Sequence, residues 1–220
     1  GTCSLRAAIM QANLATGAGA TILLPAGTYG LTRPIVGSDG PDSGDLNLTT
    51  PAAGNPTIAI VGAGAGVTVI DANQIDRVLN VHASRTAFVS GVSMRNGFTG
   101  PTRYGGALAN SGALTLVGVS IAASSARVGG GVYNSVPGEL TMQDCIVSTN
   151  SADTYGGGIY NTRSAILILL DSKLSTNTAG FDGGGIDNEG TVRMYRSTVA
   201  ANSASNYGGG MLVNGLTFIF

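Results

Sequence analysis

Two aspartates, Asp144 and Asp171, stand 27 residues apart in stretches that otherwise read alike, "TMQDCIVSTN" and "ILLDSKLSTN". If such stretches stack as neighbouring strands, the two carboxylates come within about 5 Å of each other. Paired carboxylates on one groove are what glycoside hydrolysis needs. A carboxylate cluster holding Ca²⁺ beside a basic residue that abstracts a proton is what a polysaccharide lyase needs. The following unit has Arg196 at the same place and the preceding one Gly118. A surface ladder of Asp, Asp and Arg accounts for that pattern equally, so these two residues are the only catalytic candidates and no catalytic residue is assigned.

Three further carboxylates, Asp39, Asp42 and Asp45, crowd the loop "SDGPDSGDL". They are the weak Ca²⁺ candidates; their spacing matches no EF-hand loop, and Asx-turns explain it as well. His82 is the single histidine; "NVHAS" reads as a strand entering a turn, and no G-x-S-x-G accompanies it. "VGAGAG" is followed by the strand-like "VTVIDA", whereas a dinucleotide fingerprint requires a helix there. Cys3 and Cys145 make neither a disulfide framework nor a zinc set. Thr149 and Thr176 alone do not supply the regular threonine array of an ice-binding face. No cofactor is expected.

What would hold any of these residues in place is a repeat. Glycine runs precede Leu108, Val132, Ile159, Ile186 and Met211, at spacings of 24, 27, 27 and 25. Asn110, Asn134, Asn161 and Asn188 follow two residues later. A further apolar anchor comes at Ile121, Val147, Leu174 and Val199, and three residues beyond it stand Ser124, Asn150, Asn177 and Asn202. Alternation with period two marks strands; the Gly, Asn and Ser clusters mark turns. About three short strands in about 26 residues fit one rung of a parallel β-helix and neither a leucine-rich repeat nor a propeller blade. Stacked asparagines can bond along the axis and tolerate left-handed backbone, so all seven are expected to be structural. Tyr133 and Tyr160 should face outward and stack.

The same grammar reaches upstream through "TIAIVGAGAGVTVI", "RVLNV" and "TAFVSGVSM", giving about eight rungs and an axial length of roughly 38 Å. The expected fold is therefore all-β: a single-stranded right-handed parallel β-helix forming one domain over residues 1–220. Residues 1–17 form a short capping helix, with Ser4 as N-cap, Leu5, Ala8, Ile9 and Ala12 as its apolar face, and Gly17 at its C-terminal end. Irregular early rungs occupy 18–96 and glycine-rich rungs 97–220. The phase of "YGGGMLVNGLTFIF" points Leu216 and Phe218 inward and provides no polar cap, so either further rungs or a neighbouring molecule are expected to cover that end.

Composition narrows the partners. Of 220 residues, 43% are hydrophobic and 35 are glycine; ten arginines and Lys173 leave a net charge of −1. That balance offers no footprint for nucleic acid or an anionic membrane. No apolar run approaches the roughly 20 residues of a membrane span. The chain opens directly at "GTCSLRAAIM" with no signal peptide, which a removed leader or a longer parent chain would explain.

At "CSLRAAIMQANLATGAGATILLPAGTYGLT" the chain resembles the CSLREA-type N-terminal module of bacterial cell-surface proteins. Cys3, Ser4, Leu5, Arg6, Ala8, Ile9 and Asn13 match, as do Leu24, Pro25, Ala26, Gly27, Thr28 and Tyr29. The departure is Ala7 where the family has Glu, which removes half of a capping box. The later units are similar to the glycine and asparagine repeats of polymorphic outer-membrane proteins and related β-helix adhesins. The resemblance implies secretion and an extracellular or bacterial cell-surface location, and no defined reaction. The expected role is a non-enzymatic structural, adhesive or self-assembling solenoid. Its expected partners are the chain itself, end to end or laterally, or cell-surface glycans. A carbohydrate-active β-helix of the lyase or hydrolase kind is the alternative.

Overall fold

The computed structural model describes residues 3–35, 40, 42–51, 54–100 and 102–220. Apart from one short helix, the regular elements are strands, and they form a parallel β-solenoid. Four sheets run along its axis, numbered here in the order the chain meets them within a unit. The first has eight strands, among them Ala113–Val117, Glu139–Gln143, Ile166–Leu170, Thr191–Tyr195 and Leu216–Ile219. The second and fourth have seven strands each and the third has four.

The wall follows from the alternation. Leu140 pairs in register with Leu114 before it and Leu167 after it, and Met142 with Leu116 and Leu169. All six are buried, so each rung completes the core of its neighbours. Burying one side of a strand this way requires apolar residues at every second position and frees the others for solvent.

Two expectations about the wall need correction. Full units hold four strands rather than three; the extra one ranges from five residues at Ser151–Tyr155 to two at Thr178–Ala179. Its recurring inward residue is alanine, Ala126, Ala152, Ala179 and Ala204, joined by Val128 only in the first, too little apolar signal to read as a strand. The solenoid also makes about six turns, fewer than eight. Its first circuit is distended, Ala20 pairing with Ile58 38 residues later, and the strand Leu216–Ile219 opens a circuit of which it is the only described strand.

At the N-terminal end lies α1 (Leu5–Asn13), with Ser4 Oγ accepting from the Ala7 amide at 3.2 Å. Leu5, Ile9 and Ala12 close the core. The helix stops at Asn13 with Leu14 as C-cap; Gly17, at φ +74°, belongs to the following turn. Two residues clamp the helix to the wall. Arg6 donates to the carbonyls of Asp45 at 2.6 Å and Gly44 at 2.5 Å. Asn13 donates to Asn47 O at 2.8 Å and accepts from the Thr49 amide at 3.1 Å. No described helix is long and apolar enough to cross a membrane.

At the far end the phase is opposite to expectation. Thr191 pairs with Leu216 and Arg193 with Phe218, so these residues face outward, and Thr217 and Ile219 continue the inward rows of Val192 and Met194. The cause is that pairing starts this strand at Leu216, opposite Thr191, so the alternation of "GLTF" is one residue out of step with that of "TVRM".

Candidate functional site

The corner after the first sheet carries the two candidate catalytic aspartates. Asp144, Asp171 and Arg196 have φ of 52°, 49° and 45°, and Gly118 before them 59°, so a left-handed residue recurs at this turn in each unit. Asp tolerates that conformation better than most side chains. Asp171 does not stand free beside Asp144. Arg196 Nε and Nη2 donate to its Oδ1 and Oδ2, both at 2.7 Å, while Asp144 accepts from Gln143 Nε2 at 3.3 Å. The hydrogen bonds and charge of Arg196 hold Asp171 below the usual carboxylate range, and Asp171 holds the guanidinium more firmly protonated. A general acid needs a raised carboxyl pKa and a proton-abstracting base a lowered one. Both shifts run the other way.

The aspartate-rich loop is likewise engaged. Asp45 is fully buried, its Oδ2 lying 3.3 Å from Arg77 Nε and its Oδ1 accepting from Asn47 Nδ2 at 2.5 Å. Asp76, also buried, pairs with Arg103 at 3.1 Å and accepts from the Asp45 amide. Asp42 is exposed, and Asp39 lies outside the described residues. Among the described residues no three His, Cys, Asp or Glu side chains are grouped to hold a metal ion. His82 Nε2 sits 3.0 Å from Asn47 Oδ1 and 3.3 Å from Asn80 Nδ2, in an amide cluster rather than beside a nucleophile. Burial pushes the Cys145 thiol up to about 11; it takes a corner position continued by Ser172, whose Oγ accepts the Cys145 amide at 3.0 Å.

The seven asparagines form two axial ladders. In one, Nδ2 of Asn110, Asn134 and Asn161 each donates to Oδ1 of the next asparagine at 2.8 Å, ending on Asn188. In the other, Asn150 donates to Asn177 at 3.0 Å and Asn177 to Asn202 at 2.9 Å. The last glycine of each run makes room for this second ladder: a Cβ on Gly158 would stand 3.0 Å from Asn177 Nδ2 and 2.5 Å from Gly185 O.

On the outer face of the fourth sheet Tyr133 and Tyr160 stack at 5.6 Å between centroids, and Tyr104, bridged to Val128 of the third sheet, stacks on Tyr133 at 4.8 Å. Asp187 takes the next place in that column, opposite Tyr160, and is only 2% exposed. Its Oδ1 has no hydrogen-bond partner, and Tyr160 Oη donates instead to Glu189 at 2.8 Å. Desolvation, then the charges of Glu189 and Asp182, raise Asp187 to about 6. The sequence signal was a single letter: "IDN" where the earlier units read "VYN" and "IYN". Beside Tyr104 and Tyr133, a shallow cavity of about 300 Å³ is lined by Arg77, Asn80, Arg103 and Ser135 among others.

No protein-family model, curated protein or solved structure matches the chain.

Proposed function

We propose that this chain is a non-enzymatic solenoid of a secreted or cell-surface protein, acting as a rigid spacer with adhesive contacts and pairing with its own kind. The observation that carries this reading is the bidentate hold of Arg196 on Asp171. It occupies the face where successive rungs could have presented two carboxylates to a sugar chain, and it moves both partners away from acid–base work. Secretion is supported by the CSLR…LPAGTY resemblance. A glycan contact would find its best chemistry in the cavity beside Tyr104 and Tyr133, where hydroxyl, amide and guanidinium donors surround an aromatic edge.

The test is incubation with a panel of plant, bacterial and algal polysaccharides, following reducing ends and unsaturated products. No product is expected from the chain or from its Asp144→Asn/Asp171→Asn variant, and the melting temperature of the variant should be nearly that of the parent, because an exposed ion pair adds little. Cleavage by the parent that disappears in the double variant would replace this reading with the carbohydrate-active one.

A further inference from the structure

The outer face of the first sheet is more apolar than those of the second and third. The outward row of the second sheet runs Ser93, Ser120, Ile146, Lys173 and Thr198, with one apolar residue among them, and that of the third Ser125, Ser151, Thr178 and Ser203. The strand Ile166–Leu170 instead presents Ile166, Ile168 and Leu170 outward while burying Leu167 and Leu169. Such a strand reads as one covered on both faces. Two strands further on, Leu216, Phe218 and Phe220 are 62%, 42% and 68% exposed, and Phe220 stacks on Tyr195 at 4.7 Å. An apolar sheet face of this kind marks an interaction surface.

We propose that a second copy of this chain covers this face, the two solenoids lying antiparallel about a two-fold axis that runs along the strand Ile166–Leu170. The proposal rests on the self-pairing part of the function above and assigns it to one surface. Three features support that axis. Under it Ile166, Ile168 and Leu170 meet their own symmetry mates, which closes the most apolar strand on itself. The large Leu216, Phe218 and Phe220 fall on the strand Ala113–Val117, whose outward side chains are the small Ala113, Thr115 and Val117. Large against small at facing positions is what packs a sheet interface.

Charge gives the third argument. Among the described residues, Glu139 and Arg193 are the only charged side chains on the outward positions of this sheet. They lie on the two strands flanking Ile166–Leu170. The two-fold brings each opposite the other, offset by two residues or about 6.6 Å along the strand, within an arginine's reach. The same operation sets Asp144 opposite the partner copy's Arg196 position at the adjoining corner. An axis on the strand Glu139–Gln143 would set Glu139 against its own mate and Arg193 against the uncharged strand Thr86–Ser90, and one on Thr191–Tyr195 would set Arg193 against its own mate.

Five strands overlap, a patch about 24 Å by about 20 Å, so the pair buries on the order of 1,000 Å² in total. That is the lower end for specific contacts, and the expected association is weak, with Kd of roughly 10–100 μM.

Sedimentation equilibrium of the full chain over roughly 10 μM to 1 mM reads this directly. The expected result is a monomer–dimer equilibrium that Ile168→Arg weakens at least about 30-fold, because two like charges then meet on the axis. Glu139→Arg alone should weaken it about 10-fold, and Glu139→Arg with Arg193→Glu should restore it. Each variant is checked by its melting temperature, and the charge swap keeps the test open if Ile168→Arg fails to fold. A monomer throughout, or a dimer indifferent to both sets of changes, overturns the proposal; the second outcome leaves pairing through another surface standing. Polysaccharide cleavage by the same sample would overturn the non-enzymatic reading without touching the pair.

Discussion

Asp187 is the residue whose environment departs most from its chemistry. It is buried between Tyr160 and Leu212 in the fourth sheet and faces the negative charges of Glu189 and Asp182. Its folded value, about 6, lies above the usual 3.8. The folded state therefore binds this proton more tightly than the unfolded chain, and the associated stability is full below 3.8 and lost as pH rises through 6. We expect Asp187→Asn to raise stability near pH 7.5 by about 2 kcal/mol and to flatten the wild-type decline between about pH 4 and 7, read as melting temperature against pH. The buried asparagines behave oppositely, since each is fully satisfied. Asn161→Ala removes one partner each from Asn134 Nδ2 and Asn188 Oδ1, which keep Ile166 O and the Gly190 amide, and should cost about 1–3 kcal/mol in urea unfolding through the buried hydrogen bonds lost. The asparagine positions were legible because they recur at the period of the glycines. Asp187, Arg6 and Asn13 each occur once, and their partners lie in segments whose approach no local pattern announces.

At the scale of elements, glycine serves two different purposes, and substitution should tell them apart. Gly118 occupies the left-handed corner, φ +59°, and a methyl group added there would meet nothing within 4 Å. Its equivalents are Asp144, Asp171 and Arg196, so Gly118→Ala should cost only about 1 kcal/mol, the left-handed penalty. Gly158 has ordinary φ but no space, its Cβ position lying 2.5 Å from Gly185 O. Gly158→Ala must push two rungs apart and should cost about 3 kcal/mol or more, measured by the same chemical denaturation. Which strands exist followed from alternation alone wherever a strand holds two or more large inward residues. The third sheet escaped because alanine carries little periodic signal. The last strand was misphased because "GLTF" alternates like "TVRM", while pairing sets Leu216 rather than Gly215 beside Thr191.

For the molecule beyond its distended first circuit, the separation between paired residues changes little from turn to turn: Glu139 to Ile166 is 27 residues and Thr191 to Leu216 is 25. Each turn depends on its neighbours and on nothing further away, so stability should accumulate rung by rung. A second copy of residues 139–165 inserted after Ala165 is expected to fold, lengthen the particle by about 4.8 Å in small-angle scattering, and raise the urea m-value. The repeat at 105–211 made this architecture readable from the chain itself; the apolar outer face of one sheet was not, because an alternating run does not say which of its sides is covered. The axial direction of the hydrogen bonds has one more consequence. Tension applied between the two ends would act on rung interfaces in series, every interface carrying the same force, with the bonds inside each interface sharing it in parallel. The first asparagine column begins only at Asn110, its place being taken by Leu48 and Val81 in the turns before. Those early interfaces are joined instead by isolated side-chain links, Asn80 to Asn47 at 3.0 Å and Arg95 to Asp71 at 2.8 Å among them, and under load the solenoid should part first at an interface outside the continuous asparagine column.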